Sequence, residues 1–191
     1  MRIAIVGSVG VPASYGGFET LVENLIEDSL IEYTVYCSGK HFSERHTTYK
    51  GAKLIYLPIS ANGVMSICYD VLSLMHGIFA GHRNFLVLGT SGAFIFPLIR
   101  LLFPSVTIIT NIDGLEWQRS KWSRFAKSFL RFSETLAVKY SHSVIADNDE
   151  IAQHIHSEHG RDCKTIAYGG DHALLENGGA TGSLKAELDY R

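Results

Sequence analysis

The chain has 191 residues, of which 46% are hydrophobic and 19% are charged, and its formal net charge at pH 7 is −2. This length and composition predict one globular domain with a buried core, and the charge balance excludes a general affinity for nucleic acid. The three widely spaced cysteines show no metal-type pairing and no secretory signal precedes the first apolar segment, so we expect a cytoplasmic protein with reduced, buried thiols.

Short β-branched segments alternate with longer segments of helical periodicity along the chain. The predicted strands are, in order, about 2–7, 33–37, 53–58, 85–89, 106–112, 143–147 and 164–168. The predicted helices are about 18–29, 65–80, 92–102, 121–140 and 149–158. Strands that are apolar throughout and separated by helices indicate a parallel sheet covered on both faces. The sequence therefore predicts an α/β fold with a doubly wound, mostly parallel, Rossmann-like sheet of about seven strands.

The two most apolar segments, 64–80 and 93–110, are interrupted by polar or helix-breaking residues. The first contains Asp70 and His76, and the second contains Arg100 and two prolines. Because a membrane-spanning helix needs roughly 20 mostly apolar residues, the sequence predicts buried helices here.

A glycine-rich loop follows the first strand and closes with Gly16 and Gly17 before a helix starts at Phe18. In open α/β sheets ligands bind beyond the carboxyl ends of the strands, and a helix start offers free N–H groups to an anion. The loop lacks the lysine of a nucleoside-triphosphate loop. Gly7 and Gly10 also have the wrong spacing for a dinucleotide fingerprint, and no acid follows the second strand. The alternative interpretation is that the glycines only make a turn.

Four segments together resemble bacterial rhamnosyltransferases of glycosyltransferase family 4, which have the two-domain GT-B fold. They are GSVGVPASYGGFETLVENL (7–25), NIDGLEWQRSKW (111–122), IADN (145–148) and IAYGGDH (166–172). The resemblance covers residues 1–172 and implies an N-terminal acceptor-binding domain. Residues 173–191 then form a linker or the start of a C-terminal domain that binds the nucleotide-sugar. The paired glutamates of that donor domain have no counterpart here, so we expect this chain to be inactive alone.

The reaction that the resemblance implies is transfer of L-rhamnose from dTDP-L-rhamnose to a lipid-linked saccharide, in the synthesis of bacterial capsule or cell-wall polysaccharide. The family is retaining, and its leaving phosphate assists attack on the same face, so no carboxylate nucleophile, metal or other cofactor is expected. Gly16 and Gly17 would lie against the donor phosphates, where preorganised N–H donors stabilise developing charge. Glu19 would either reach an acceptor hydroxyl or complement the helix dipole.

A second group of polar residues, Asn111, Asp113 and Glu116, clusters at the carboxyl end of a predicted strand. Such groups usually face a ligand, so Asn111 and Glu116 are candidate substrate-binding residues. By resemblance Asp113 would orient or deprotonate the acceptor hydroxyl. Alternatively, Asp113 caps a turn and Glu116 pairs with Arg119.

Two further polar groups have simpler interpretations. Asp147 or Asn148 is predicted to cap the next helix. His154, His156 and His159 suggest a metal, but His154 is expected to point away from the other two. We therefore predict a solvated helix face there and no metal site.

The helix predicted at 121–140 is amphipathic and locally basic. The stripe expected to be buried is Trp122, Phe125, Ala126, Phe129, Phe132 and Leu136. The basic residues are Arg119, Lys121, Arg124, Lys127 and Arg131. They predict peripheral contact with an anionic membrane surface at the inner face of the cell membrane; the alternative is an ordinary core helix with a solvated basic face.

Two rival functions stay open from the sequence. One is a non-catalytic sugar-binding or membrane-adaptor domain. The other is an oxidoreductase with a degenerate nicotinamide site, which the missing acid after the second strand disfavours.

Overall fold

The computed structural model describes residues 1–14, 16–27, 30–120 and 122–167, which form one sheet covered by helices. The strands are β1 (Arg2–Val6), β2 (Glu32–Ser38), β3 (Thr48–Tyr49), β4 (Ala52–Leu57), β5 (Asn84–Leu88), β6 (Thr107–Ile112), β7 (Ser143–Ala146) and β8 (Lys164–Thr165). The helices are α1 (Gly17–Leu25), α2 (Met65–Phe79), α3 (Phe96–Leu102), α4 (Arg124–Tyr140) and α5 (Asp149–His159). Two single 3₁₀ turns, Ala93–Ile95 and Glu116–Gln118, precede α3 and α4. The predicted α/β, Rossmann-like fold is confirmed.

The strand order is β3-β4-β2-β1-β5-β6-β7-β8. The chain first builds outward from β1 through β2 and β4, then crosses back to place β5 on the other side of β1. The order therefore reverses between β1 and β5, and a crevice forms at such a reversal, beyond the carboxyl ends of the two strands.

The sheet has one strand more than the sequence predicts. β3 is two residues long and pairs antiparallel with β4 through a turn at Lys50 and Gly51, both with positive φ. Every other neighbouring pair is parallel. A two-residue edge strand carries no periodicity, which explains why the pattern missed it.

The core lies on both faces of the sheet because side chains alternate along each strand. In β1, Ala4 and Val6 face a cluster that includes residues of α2 and α3, while Ile5 faces a cluster with Val22 of α1. A smaller third cluster packs α5 against β7. Of the cysteines, Cys37 is buried as predicted, whereas Cys68 is exposed and Cys163 is half-buried.

The buried face of α4 differs from the predicted one. The buried residues are Leu130, Ser133, Glu134, Ala137 and Val138. Phe125 is 84% exposed and Phe132 is 56% exposed, so the predicted burial of the aromatic stripe is wrong for these two residues. The buried face includes the polar Ser133 and Glu134, whereas Ala126, Phe129 and Leu136 of the predicted stripe are half-buried, so apolar spacing alone misplaced the buried face.

Several predicted boundaries also shift. The helix predicted at 92–102 is a 3₁₀ turn followed by α3, and α4 begins at Arg124, where the Ser123 hydroxyl accepts from the Ala126 N–H. Asn148 caps α5 as predicted, by accepting from the Ile151 N–H at 2.9 Å. The predicted domain boundary at 172 lies outside the described residues. Across the described ranges, no helix combines the length and apolarity needed to cross a bilayer.

Candidate functional site

A cleft of about 310 Å³ lies at the carboxyl ends of β1, β5 and β6, where the strand order reverses. The glycine loop and the start of α1 form one part of its lining. The turns after β5 and β6, the segment before α2, and Ser66 and Asp70 of α2 form further parts. The residues that line it include Gly7, Gly16, Gly17, Glu19, Asp70, Ser91, Asp113, Glu116 and Arg119.

The glycine loop is packed tightly against the ends of neighbouring strands. Gly7 has a φ of +96°, and a Cβ added there would collide with the carbonyl oxygen of Leu88. Gly10 has a φ of +119°, and its added Cβ would lie 2.6 Å from Cys37 Sγ. These two glycines therefore serve backbone conformation and close packing, although Gly7 also borders the cleft.

Gly16 and Gly17 lie in the cleft lining, at the start of α1. Gly16 is the N-cap residue in an extended conformation and supplies no side-chain cap to the first turn. A helix start without a side-chain cap leaves backbone N–H groups for an outside partner. Such a partner is favourably an anion.

Glu19 borders the same cleft, and the structure gives it a partner within the protein. Its side chain is buried, and its Oε1 accepts a hydrogen bond of 2.8 Å from the Val9 N–H in the glycine loop. A Cβ added at Gly16 would lie 2.8 Å from Glu19 Oε2. Glu19 is thus close to both the loop and the helix start, and a side chain at position 16 would have to displace its carboxylate.

Asp113 follows β6 and lines the cleft. Burial, together with repulsion from Asp147, raises its pKa to about 6, although the Arg119 charge opposes the shift. Asn111, at the end of β6, is 3% exposed and does not appear in the cleft lining. A half-buried carboxyl that titrates near neutral pH suits proton transfer.

Glu116 lines the cleft with both carboxylate oxygens engaged. Its Oε1 accepts from Trp122 Nε1 at 3.0 Å, and its Oε2 lies 2.9 Å from Arg119 Nε. The pairing of Glu116 with Arg119, which the sequence left as an alternative, is therefore present.

Asp70 of α2 is a cleft residue that the sequence reasoning missed. It is 4% exposed and lines the cleft, and burial raises its pKa to about 7. Its carboxylate accepts a hydrogen bond from the Ser91 hydroxyl, in the turn after β5. That turn is itself held by α4, because the Ser133 hydroxyl donates to the Thr90 carbonyl at 2.6 Å. An acid within an apolar helical segment was the signal available in the sequence.

The basic residues around α4 fall into different environments. Arg119 pairs with Glu116, and Arg131 pairs with Glu158 at 2.8 Å while its guanidinium lies over the Trp117 ring. Arg124 begins α4, and the Lys127 ammonium lies 3.4 Å from the Gln118 carbonyl. Lys121 lies outside the described residues.

The three histidines of α5 do not share a solvated face. His154 and His159 both point at the buried carboxylate of Glu134, and His156 lies apart, 2.9 Å from Asp162. The expectation that His154 points away from the others is wrong, because its ring turns inward to a buried acid on α4.

The chain is similar to known proteins in sequence and in fold. A protein family described as a domain of unknown function (DUF1972) matches residues 1–171. Sucrose-phosphate synthase from Thermosynechococcus elongatus is similar with a TM-score of 0.66 and 12% identity, over 87% of this chain and 47% of that one. The Candida albicans trehalose-6-phosphate phosphatase N-terminal domain has a TM-score of 0.58 and 12% identity, over 98% and 53%.

No curated protein matches the sequence significantly. The chain spans about half the length of the two solved structures named above. At such low identities the likeness shows the fold alone.

Proposed function

We propose that this chain, which belongs to the DUF1972 family, is the acceptor-binding half of a retaining glycosyltransferase with the GT-B fold. The observation that carries the proposal is the cleft itself. It brings the helix start at Gly16 and Gly17 into one cavity with Asp113, whose pKa is raised to about 6. An anion-binding helix start beside a titratable carboxyl suits a substrate with a phosphate and a hydroxyl.

The fold likeness supports a sugar-transferring protein. One structure with the same fold is named a sucrose-phosphate synthase, a name that denotes the formation of a phosphorylated disaccharide. Together with the sequence resemblance to family 4 rhamnosyltransferases, this favours a transferase over the non-catalytic sugar-binding module and the nicotinamide oxidoreductase.

In the proposed reaction the acceptor hydroxyl bonds to the anomeric carbon of the donor sugar as the bond between that carbon and the phosphate oxygen breaks. Attack and departure occur on the same face, so configuration is retained, and the hydroxyl proton passes to the leaving phosphate. Asp113 orients that hydroxyl for attack, or takes its proton transiently and passes it on to the leaving phosphate. The N–H groups at Gly16 and Gly17 stabilise the charge on the leaving phosphates. The reaction as proposed uses no metal or other cofactor.

Glu19, Glu116 and Asn111 are proposed to act on the substrate mainly by shaping the cleft. Glu19 fixes the glycine loop through Val9, and Glu116 is fixed by Trp122 and Arg119. Asn111 is buried where β6 ends, just before Asp113. These contacts support preorganisation of the groups that meet the ligand.

The donor and acceptor are proposed from the sequence resemblance. The donor is dTDP-L-rhamnose, bound by a C-terminal domain, and the acceptor is a lipid-linked saccharide of bacterial surface polysaccharide synthesis.

Peripheral contact with an anionic membrane is part of the same proposal. Phe125 and Phe132 of α4 are exposed, as are Leu98, Leu101 and Leu102 of α3, which packs against α4. Arg124 and Arg131 are exposed and directly precede these two phenylalanines in the chain. An exposed apolar surface beside basic residues suits the headgroup region of an anionic membrane at the cytoplasmic face.

The test is a transfer assay on the full-length protein with a panel of nucleotide-sugars and lipid-linked saccharide extracted from membranes. We expect transfer from dTDP-L-rhamnose with retained anomeric configuration, read by NMR of the product. Inversion would contradict the retaining mechanism, and transfer from another nucleotide-sugar would contradict the donor. Saccharide binding without any transfer would favour the non-catalytic module, and NADH binding seen by fluorescence would favour the oxidoreductase.

A further inference from the structure

The most concentrated group of metal-ligating side chains among the described residues lies outside the cleft, between α4 and α5. Glu134 of α4 is 2% exposed, and His154 and His159 of α5 are 17% and 12% exposed at their side chains. Both histidines direct Nε2 at the same oxygen, Glu134 Oε1, at 3.0 and 3.5 Å. We propose that Glu134, His154 and His159 form a binding site for a divalent transition-metal ion of the zinc type, which clamps α5 to α4.

The spacing of the three ligand atoms fits such an ion. All three lie within 4.8 Å of one another. Two ligands that each lie about 2.0–2.1 Å from a tetrahedral zinc ion are roughly 3.3 Å apart. The two distances from Glu134 Oε1 bracket that value, and the two Nε2 atoms lie within 4.8 Å of each other, so small side-chain movements would bring all three ligands into range of one ion.

The ligand chemistry also fits. Two imidazoles and one carboxylate form a set that zinc uses with its fourth position open to water. The histidine rings are partly exposed, which gives an ion access from solvent, while the carboxylate is buried. In the bound form each ring presents a deprotonated Nε2 and keeps its proton on Nδ1.

An outer partner already holds the carboxylate in place. Trp117 Nε1 donates to Glu134 Oε2 at 3.0 Å, so Oε1 is the oxygen left to face the ion. Metal-ligating carboxylates characteristically carry such a hydrogen bond from outside the ligand set. The nearby Arg131 charge, over the Trp117 ring, is countered by its ion pair with Glu158.

The ion would connect three elements through few atoms. It would join α4 to α5 directly, and it would reach the 3₁₀ turn Glu116–Gln118 through Trp117. None of the three ligands lines the cleft. The site is therefore separate from the proposed sugar transfer, and a bound ion would steady a turn that borders the cleft.

The experiment uses full-length protein stripped of metal with a chelator and titrated with Zn²⁺ by calorimetry, and with Co²⁺ by visible absorption. The test variants are His154→Asn, His159→Asn and Glu134→Gln. The control is His156→Asn, which removes an exposed histidine of the same helix from outside the cluster.

We expect wild-type protein and the His156→Asn control to bind one Zn²⁺ per chain, to show the intense visible bands of tetrahedral Co²⁺, and to gain thermal stability with zinc. Each test variant should lose the stoichiometric binding, the bands and the gain. Trp117→Phe should weaken zinc binding by about tenfold while leaving the ligands in place.

Circular dichroism of the metal-free variants checks that they fold. A wild-type protein that binds no zinc would overturn the proposal, and so would folded test variants that bind zinc as well as the control. Either result would mean that the cluster is a hydrogen-bonded clasp only.

Discussion

Glu19 of α1 accepts a 2.8 Å hydrogen bond from the backbone N–H of Val9 in the glycine loop. One helical turn later, Glu23 accepts from the Ala13 N–H at the same distance. Two carboxylates of one helix thus hold the loop that precedes it at two points. The sequence suggested that Glu19 reaches an acceptor hydroxyl or complements the helix dipole. The structure adds a third role, because Glu19 also holds the loop backbone.

Replacing Glu19 with alanine is expected to destabilise the domain. The Val9 N–H would remain buried without its acceptor, which costs about 1–3 kcal/mol. Urea denaturation measures the change in the free energy of unfolding. The matched control is Glu27→Ala, an exposed acid beyond the end of the same helix whose carboxylate pairs with Lys50, and it should change stability by less than about 0.5 kcal/mol. Equal losses of stability in both variants would show that the Glu19–Val9 hydrogen bond does not hold the loop.

Asp113→Asn is expected to lower sugar transfer by the full-length protein by roughly 10²- to 10⁴-fold, the usual contribution of a general base. The carboxylate is the active form, so in wild-type protein activity should fall as pH drops through about 6. Initial rates from pH 5 to 8 measure both effects.

Asp147→Asn tests the raised pKa of Asp113 in a second way. Asp147 repels the Asp113 carboxylate and helps to raise its pKa, so removing the charge should move the acidic limb of the profile to lower pH. Asp149→Asn, an exposed acid in the first turn of α5, is the control and should leave the profile in place. An Asp113→Asn variant with undiminished transfer would remove this residue from the mechanism.

Asp70→Asn is expected to raise the free energy of unfolding above neutral pH and to change it little at acidic pH. Burial raises the Asp70 pKa to about 7, so the folded state favours the protonated acid. Protonated Asp70 therefore contributes stability to the folded state. This contribution is fully present below the unfolded-state pKa of about 4 and is lost as pH rises through about 7. Between pH 5 and 8 the wild-type loss is on the order of 3 kcal/mol, and the variant should lack it.

Denaturation midpoints at pH 5 and 8 measure this difference. Asp162→Asn serves as the control, because the Asp162 side chain is 93% exposed and should leave the pH dependence unchanged. A pH dependence that survives in Asp70→Asn would show that another group causes it.

Removing both exposed aromatic side chains of α4, as Phe125→Ser and Phe132→Ser, is expected to weaken sedimentation with vesicles that contain anionic lipid. Arg124→Glu should weaken it further, by at least about fivefold, since one basic residue near such a surface contributes about 1 kcal/mol. Phe79→Ser is the matched control, because the exposure of Phe79, 74%, lies between those of the two test residues and Phe79 belongs to α2. Vesicle binding that is unchanged by the α4 substitutions, or lost equally in the control, would argue against this membrane face.

The order of elements was predictable because each depends on a local pattern. Apolar β-branched runs separated by helical periodicity identified seven of the eight strands, and β3 escaped because two residues carry no period. The cap at Asn148 was predictable for the same reason, since a cap depends on residues three positions apart. The buried face of α4 was not predictable from apolar spacing, because Ser133 and Glu134 face inward to partners on other elements.

The sequence by itself determined the fold class, the glycine loop at the end of β1 and the polar residues around the end of β6. All three can be read from patterns among residues close together in the chain. Only the tertiary structure decided that Asp70 lines the cleft and that His154 and His159 meet Glu134. Contacts between residues distant in the chain depend on how helices rotate and pack on the sheet. That rotation is set by the summed packing of the whole core, which no short stretch of sequence contains.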